Sequence, residues 1–107
     1  MLKLLPGEHI PCLDLFKISS LPGSSGQFVE CAILLEIWEF GGLLQTSLPI
    51  QPETVLSIPS IATGIVAKVV SCQQDEFGYL VEISVADSAW FPNGYYPPQI
   101  LARHAGA

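Results

Sequence analysis

The stretch FVECAILLEIWEFGGLLQTS, residues 28–47, decides how this chain folds. In its first half an apolar side chain occupies every second position, which is typical of a β-strand with one face in a core. The predicted inward face consists of Val29, Cys31, Ile33, Leu35 and Ile37. Gly41 and Gly42 can adopt a positive φ without steric penalty, so we expect the chain to reverse there into a second strand.

Short strands separated by turns continue along the chain. We predict strands over residues 28–38, 43–48, 55–61, 64–72 and 79–85, and a further edge strand over 9–18. The sequence DEFG at residues 75–78 predicts a hairpin loop with Gly78 in a left-handed conformation. In the last strand Val81, Ile83 and Val85 share the inward face with Tyr79. The pattern predicts an all-β fold, either a small antiparallel barrel or a sandwich, and residues 99–104 predict a short C-terminal helical turn.

Composition limits the classes of partner. The 107 residues predict a single domain, 1–107. The net charge of −6 argues against nucleic acid and anionic lipid as partners. No apolar run approaches the ~20 residues of a membrane span, and we expect no signal peptide. Because 50% of the residues are hydrophobic and only 13% are charged, we expect some apolar surface to cover a partner protein or a second copy.

Three cysteines, Cys12, Cys31 and Cys72, are far apart and never form a Cys-x-x-Cys pair. We predict buried free thiols in a reducing cytoplasm, and the sequence leaves a Cys12–Cys31 bridge open. A zinc site would need more ligands than His9 and His104 supply, so we predict no metal and no cofactor. We also predict no enzymatic activity, because no Ser/Cys-His-acid arrangement and no phosphate-cradling glycine loop is present.

Residues 36–41, EIWEFG, resemble the PilZ-domain turn motif, Asp/Asn-x-Ser-x-x-Gly. Glu36 stands at the acidic or amide position, Trp38 at the serine and Gly41 at the glycine. The strand-like sequences GIVAKVVSC (64–72) and YLVEISV (79–85) follow, then a proline- and aromatic-rich ending, WFPNGYYPP (90–98), in the order that such a domain has. The chain resembles a degenerate PilZ domain over residues 28–102. This resemblance implies a small antiparallel β-barrel from a bacterial protein of cyclic di-GMP signalling.

PilZ domains hold cyclic di-GMP with an upstream Arg-x-x-x-Arg segment and the turn motif. Arginine suits this task because its planar fork bonds phosphate bidentately and stacks on guanine. Here the upstream segment contains only Lys3 and Lys17 as cations, while Trp38 replaces a small hydroxyl and Glu36 adds negative charge. We therefore expect no binding of cyclic di-GMP at micromolar ligand and physiological salt.

Two functional hypotheses follow from these residues. The first is a non-enzymatic, PilZ-like module that binds another protein or itself; the second is a receptor for cyclic di-GMP or another nucleotide at a non-standard site. Trp38 fits either a stacking or anchoring role or a packed lid over the barrel end, and Glu36 with Glu39 fits a solvated face better than a carboxylate pair. The aromatic side chains near the turn and in the C-terminal segment have two alternative roles: they form a surface that contacts a partner, or they only pack on one another. These residues are Trp38, Phe40, Trp90, Phe91, Tyr95 and Tyr96.

Overall fold

Alternation of apolar residues gives six β-strands in the computed structural model, which describes residues 7–20, 29–58 and 65–85. The strands are β1 (Ile10–Ser20), β2 (Val29–Trp38), β3 (Gly41–Thr46), β4 (Val55–Ile58), β5 (Ile65–Asp75) and β6 (Gly78–Val85). They confirm the six predicted strands over the described residues, with bounds that differ by a few residues. The edge position predicted for the first strand is wrong, because β1 pairs with β2 on one side and with β4 on the other. None of the described residues lies in a helix, and the helical turn predicted at 99–104 falls outside them.

The strands form one closed antiparallel ring in the order β1-β2-β3-β6-β5-β4. β1 meets β4 through two residue pairs, Ser19↔Ser57 and Ser20↔Leu56, and these close the ring. The other junction between distant strands joins β3 to β6 over six pairs, from Gly41↔Ser84 to Thr46↔Tyr79. The all-β prediction is confirmed for the described residues.

The interior of the ring is filled by aliphatic side chains. The largest fully buried ones are Ile10, Ile18, Leu34, Ile37, Leu44, Leu56, Ile58, Ile65, Val69 and Ile83. On β6 the predicted face is confirmed, since Val81, Ile83 and Val85 are buried and Tyr79 packs against the core. Burial of this apolar surface is the main stabilising contribution to the fold.

The predicted inward face of β2 is wrong over most of its length. Ala32 and Leu34 are fully buried, whereas Val29 is 70% exposed and Cys31 is also exposed. The predicted inward residues Ile33 and Leu35 are only partly buried. The β2–β3 register shifts between Leu34 and Glu36, which is a β-bulge at Leu35. The bulge changes the alternation, so Ile37 faces inward as predicted.

Glu30 lies on the same side of β2 as Ala32 and Leu34, at the end of the ring. The predicted inward face of β2, which starts at Val29, would place Glu30 on the outward face, and this expectation is wrong. Its Oε1 atom accepts three hydrogen bonds, from Ser47 N (2.8 Å), Ser47 Oγ (2.7 Å) and Leu48 N (2.9 Å). The carboxylate is partly exposed and well satisfied. It fixes the chain where it leaves β3.

The two hairpin turns that lie within the described residues differ from each other. Between β5 and β6 the turn residues are Glu76 and Phe77, and Gly78 has φ = 138°, so the predicted hairpin is confirmed. Between β2 and β3 the turn residues are Glu39 and Phe40, not the glycines that we predicted. Gly41 pairs with Trp38 as the first residue of β3, and positive φ among the described glycines occurs at other positions.

The cysteines lie on different faces of the ring. Cys12 is buried, Cys72 is partly buried against the core and Cys31 is exposed, so the prediction of burial is wrong for Cys31. All three are free thiols, and the bridge between Cys12 and Cys31 that the sequence left open is not formed. The two residues lie on opposite sides of the β1–β2 wall.

Candidate functional site

The structure brings the three motif residues together and adds a fourth, His9. Glu36 pairs with Pro11 across the β1–β2 register, which places His9 beside the end of β2. The Nδ1 atom of His9 lies 2.6 Å from Oε1 of Glu36. The His9 and Trp38 rings stack with centroids 4.6 Å apart and an interplanar angle of 14°. We call His9, Glu36, Trp38 and Gly41 the turn cluster.

Within the turn cluster the two motif side chains are held by the same imidazole. The side chains of His9 and Glu36 are 54% and 32% exposed, so water competes with the contact between them. The ring stack adds a modest stabilisation of its own. Where the PilZ motif presents an acid or amide and a serine to a ligand, this chain presents a carboxylate and an indole that already contact a histidine.

Gly41 allows the indole of Trp38 to lie against β3. A Cβ atom at position 41 would lie 2.6 Å from Nε1 and 2.9 Å from Cε2 of Trp38, and it would also collide with the carbonyl oxygen of Ile83. The turn before Gly41 is fixed to β6, because Val85 N donates to the carbonyl of Phe40 at 2.8 Å. The motif glycine therefore serves close packing rather than an unusual φ.

Cys12 lies on the inner side of the wall that carries the turn cluster. Its Sγ atom is 3.8 Å from the carbonyl oxygen of Leu34, to which the thiol donates. Burial, together with smaller contributions from the carboxylates of Asp14 and Glu36, raises the pKa of Cys12 from 9.0 to about 12. Such a thiol is protonated at neutral pH and is a poor nucleophile.

The outer face of β1 and β2 carries exposed apolar side chains that sequence reasoning missed. Leu13, Leu15 and Val29 are 61%, 68% and 70% exposed. Other exposed apolar residues are Phe40, Leu48, Val66, Val70 and Phe77. The available signal was the presence of apolar residues at both odd and even positions of β2, which is typical of a strand covered on both faces.

The predicted aromatic partner surface is only partly within the described residues. Phe40 is 52% exposed at the β2–β3 turn, and Trp38 is partly buried against His9. Trp90, Phe91, Tyr95 and Tyr96 lie outside the described residues. The proposal that these side chains share one surface stays a prediction.

Two further observations concern the described residues alone. Within residues 7–20, 29–58 and 65–85, no three His, Cys, Asp or Glu side chains lie close enough to hold a metal ion. In the same ranges the structure has no helix of the length and hydrophobicity that a membrane span requires.

Comparison with other proteins supplies no relative. No protein-family model, no curated protein and no solved structure matches the chain. The resemblance to PilZ domains therefore rests on the quoted sequence motifs alone.

Proposed function

We propose that this chain is a non-enzymatic, PilZ-like interaction module that binds protein and does not bind cyclic di-GMP in the usual way. The observation that carries this proposal is the turn cluster. Glu36 and Trp38 stand at the ligand-facing positions of the motif, and both contact His9. A ligand at this place would have to displace the imidazole from the carboxylate and from the indole.

Charge supports the same conclusion. A cyclic dinucleotide carries two phosphates and needs bidentate cationic donors. The chain has one arginine, Arg103, far from the turn motif in sequence, and its net charge is −6. The carboxylate of Glu36 adds repulsion at the motif itself. We expect any contribution of His9 to be small, because its ring already pairs with that carboxylate.

Exposed apolar surface supports protein binding. The outer face of β1 and β2 exposes Leu15 and Val29 to water, and contiguous apolar patches on protein surfaces commonly mark interaction sites. Phe40 adds an exposed ring at the adjoining turn. A protein partner would remove these side chains from water, at roughly 25 cal/mol for each Å² of apolar area.

A calorimetric titration of the purified chain with cyclic di-GMP tests the ligand half of this proposal. The expected result is no saturable heat at micromolar ligand in physiological salt. A saturable isotherm with a micromolar or tighter dissociation constant would contradict it. His9→Ala is the informative variant, since binding that appears only in this variant would show that the imidazole blocks the site.

Matched surface variants test the protein-binding half. Val29→Glu and Val66→Glu place the same charge on exposed valines of β2 and β5, which lie on opposite sides of the ring. We expect Val29→Glu to abolish capture of partners by the immobilised chain and Val66→Glu to preserve it. Equal capture by both variants, with unchanged melting temperatures, would refute a contact surface on β1 and β2.

A nucleotide receptor with a non-standard site is the second candidate. The stacked rings of His9 and Trp38 favour it, because base stacking on aromatic side chains needs no particular sequence of hydrogen bonds. This candidate predicts that nucleotides quench the fluorescence of the wild-type chain and that Trp38→Ala removes the quenching. Unchanged fluorescence across a panel of mononucleotides and cyclic dinucleotides would eliminate it.

A further inference from the structure

We infer that the outer face of β1 and β2 binds a second copy of this chain across a two-fold axis. This inference rests on the proposed protein-binding function and names the partner. The face consists of six transverse rows, each with one residue from β1 or its start and one from β2. In order, the rows are Ser19–Val29, Lys17–Cys31, Leu15–Ile33, Leu13–Leu35, Pro11–Glu36 and His9–Trp38. We call this set the outer stripe.

The pairing of strands fixes most of these rows. Four of the six are direct register pairs, such as Lys17↔Cys31 and Pro11↔Glu36. Leu13 and Leu35 lie at the irregularities of their strands and fill the row between Leu15–Ile33 and Pro11–Glu36. Asp14 pairs with buried Leu34 and so alternates away from the outer stripe.

Charges on the outer stripe are arranged symmetrically about its centre. Lys17 occupies the second row and Glu36 the fifth, while the two rows between them are entirely apolar. Lys17 forms no ion pair with any residue that the structure describes. An isologous interface needs this arrangement, in which each half of a patch complements the other half.

Consider a two-fold axis that passes through the centre of the outer stripe, parallel to its rows and perpendicular to the strands. This axis places each row of one copy against the row at the same distance from the centre in the second copy. It places Lys17 of one copy over Pro11 and beside Glu36 of the second. Leu15 of one copy meets Leu13 of the second, and Ile33 meets Leu35. At the ends, Val29 meets Trp38 and Ser19 meets His9. The two central apolar rows then face each other, and the row that carries Lys17 faces the row that carries Glu36, at the ~10 Å spacing of packed sheets.

Symmetry distinguishes a second copy from an unrelated protein. An unrelated partner requires only that the patch match that partner's surface, with no relation between the two ends of the patch. The position of the cation and the carboxylate at equal distances from the centre is what a second copy requires. Because two chains of net charge −6 repel each other, a stripe on which Lys17 and Glu36 balance is a favourable face for self-association.

The size of the stripe predicts a weak dimer. Six rows at two-residue intervals extend about 33 Å along the strands, and two strands with their side chains are about 12 Å wide. The projected area is roughly 400 Å² on each copy, about half of the per-partner area of a standard specific interface. Dimerisation should therefore depend on concentration between micromolar and millimolar protein.

Two charge reversals and their mixture test the inference by sedimentation velocity. Lys17→Glu alone creates two carboxylate pairs across the interface, and Glu36→Lys alone creates two ammonium pairs. Each variant should dimerise about tenfold more weakly than the wild type, or worse. An equimolar mixture of the two restores two opposite-charge pairs, so it should form a heterodimer with at least wild-type strength.

Matched controls exclude effects of net charge and folding. Lys68→Glu changes the net charge as Lys17→Glu does, but Lys68 lies on β5 beside Glu53 and away from the stripe. It should dimerise like the wild type, and all variants should keep the wild-type circular dichroism spectrum. Monomeric wild type at millimolar concentration, or a mixture no stronger than its components, would overturn the inference. A third result would separate the two proposals. If the wild type is monomeric but captures a different protein, and Val29→Glu abolishes that capture, the proposed function holds and the dimer does not.

Discussion

The inner and outer faces of the β1–β2 wall carry the same kinds of side chain in opposite surroundings. Leu34 is fully buried, whereas Leu15, on the adjoining strand, is 68% exposed. Cys12 is buried, whereas Cys31 is exposed. Closure of the ring covers the inner face within one chain and leaves the side chains of the outer face exposed to water. Hydrophobicity alone therefore does not distinguish a core position from an exposed position in this protein.

The largest contrast is expected from one substitution made on each face. Leu34→Ala removes a fully buried side chain and leaves a cavity, so the free energy of unfolding should fall by about 3 kcal/mol. Leu15→Ala should change it by about 0.5 kcal/mol or less, because the side chain is exposed in the monomer. Urea denaturation of dilute protein measures both. Similar losses for the two variants would show that the comparison of faces is wrong.

Gly41 lies where β3, the Trp38 indole and the Ile83 carbonyl leave no space for a side chain. Gly41→Ala should lower the free energy of unfolding by about 2 kcal/mol, because the new Cβ meets the Trp38 indole and the Ile83 carbonyl. Adding Trp38→Ala should not restore stability, since the backbone carbonyl remains. Full recovery in the double variant, measured by thermal melting, would mean that the indole contact alone excludes a side chain.

A smaller effect is expected at the rim, where Glu30 joins the inner side of β2 to the segment after β3. Glu30→Ala removes one acceptor from three donors, and the free energy of unfolding should fall by about 1 kcal/mol because water can replace part of the loss. Glu76→Ala, at the exposed β5–β6 turn, is the control and should be neutral. An equal change in the free energy of unfolding of the two variants would show that Glu30 does not anchor the segment after β3.

The thiols of Cys12 and Cys31, on the two faces of the β1–β2 wall, should differ in reactivity at neutral pH. A disulfide reagent should modify Cys31 rapidly and Cys12 only after unfolding, which mass spectrometry of timed samples can measure. Equal rates at the two positions would contradict their placement.

At alkaline pH the buried thiol should affect stability. The pKa of Cys12 is about 12 in the folded chain and 9.0 as its ordinary value. Between these values the folded state keeps a proton that the unfolded state loses, so the free energy of unfolding should fall as pH rises. In Cys12→Ala this slope should be shallower over the same range. Parallel pH profiles for the variant and the wild type would contradict the raised pKa.

The sequence predicted strands better than it predicted faces. On β6 the polar residues Glu82 and Ser84 alternate with Val81 and Ile83, and the inward face was correct. On β2 both sets of alternate positions are largely apolar, and the bulge at Leu35 changes the pattern within the strand. A bulge depends on pairing with a neighbouring strand, so a single strand's sequence does not reveal it.

The candidate site was predicted in part for a similar reason. Glu36, Trp38 and Gly41 are close in sequence, and the motif identified them together. His9 contacts Glu36 at a sequence separation of 27, and only the predicted strand over 9–18 could have suggested that it reaches the turn. Long-range contacts of one side chain follow from strand register, which the sequence did not determine.

The strand order of the ring has a consequence for how the chain folds. β1, β2 and β3 are successive neighbours, as are β4, β5 and β6, so each half is a three-stranded meander with local pairing. The halves join only where β3 meets β6 and β1 meets β4. High contact order at these two junctions should make their formation the slow step of folding. Until then both faces of β2 are accessible to other chains, so we expect aggregation from this half-assembled state to compete with productive folding.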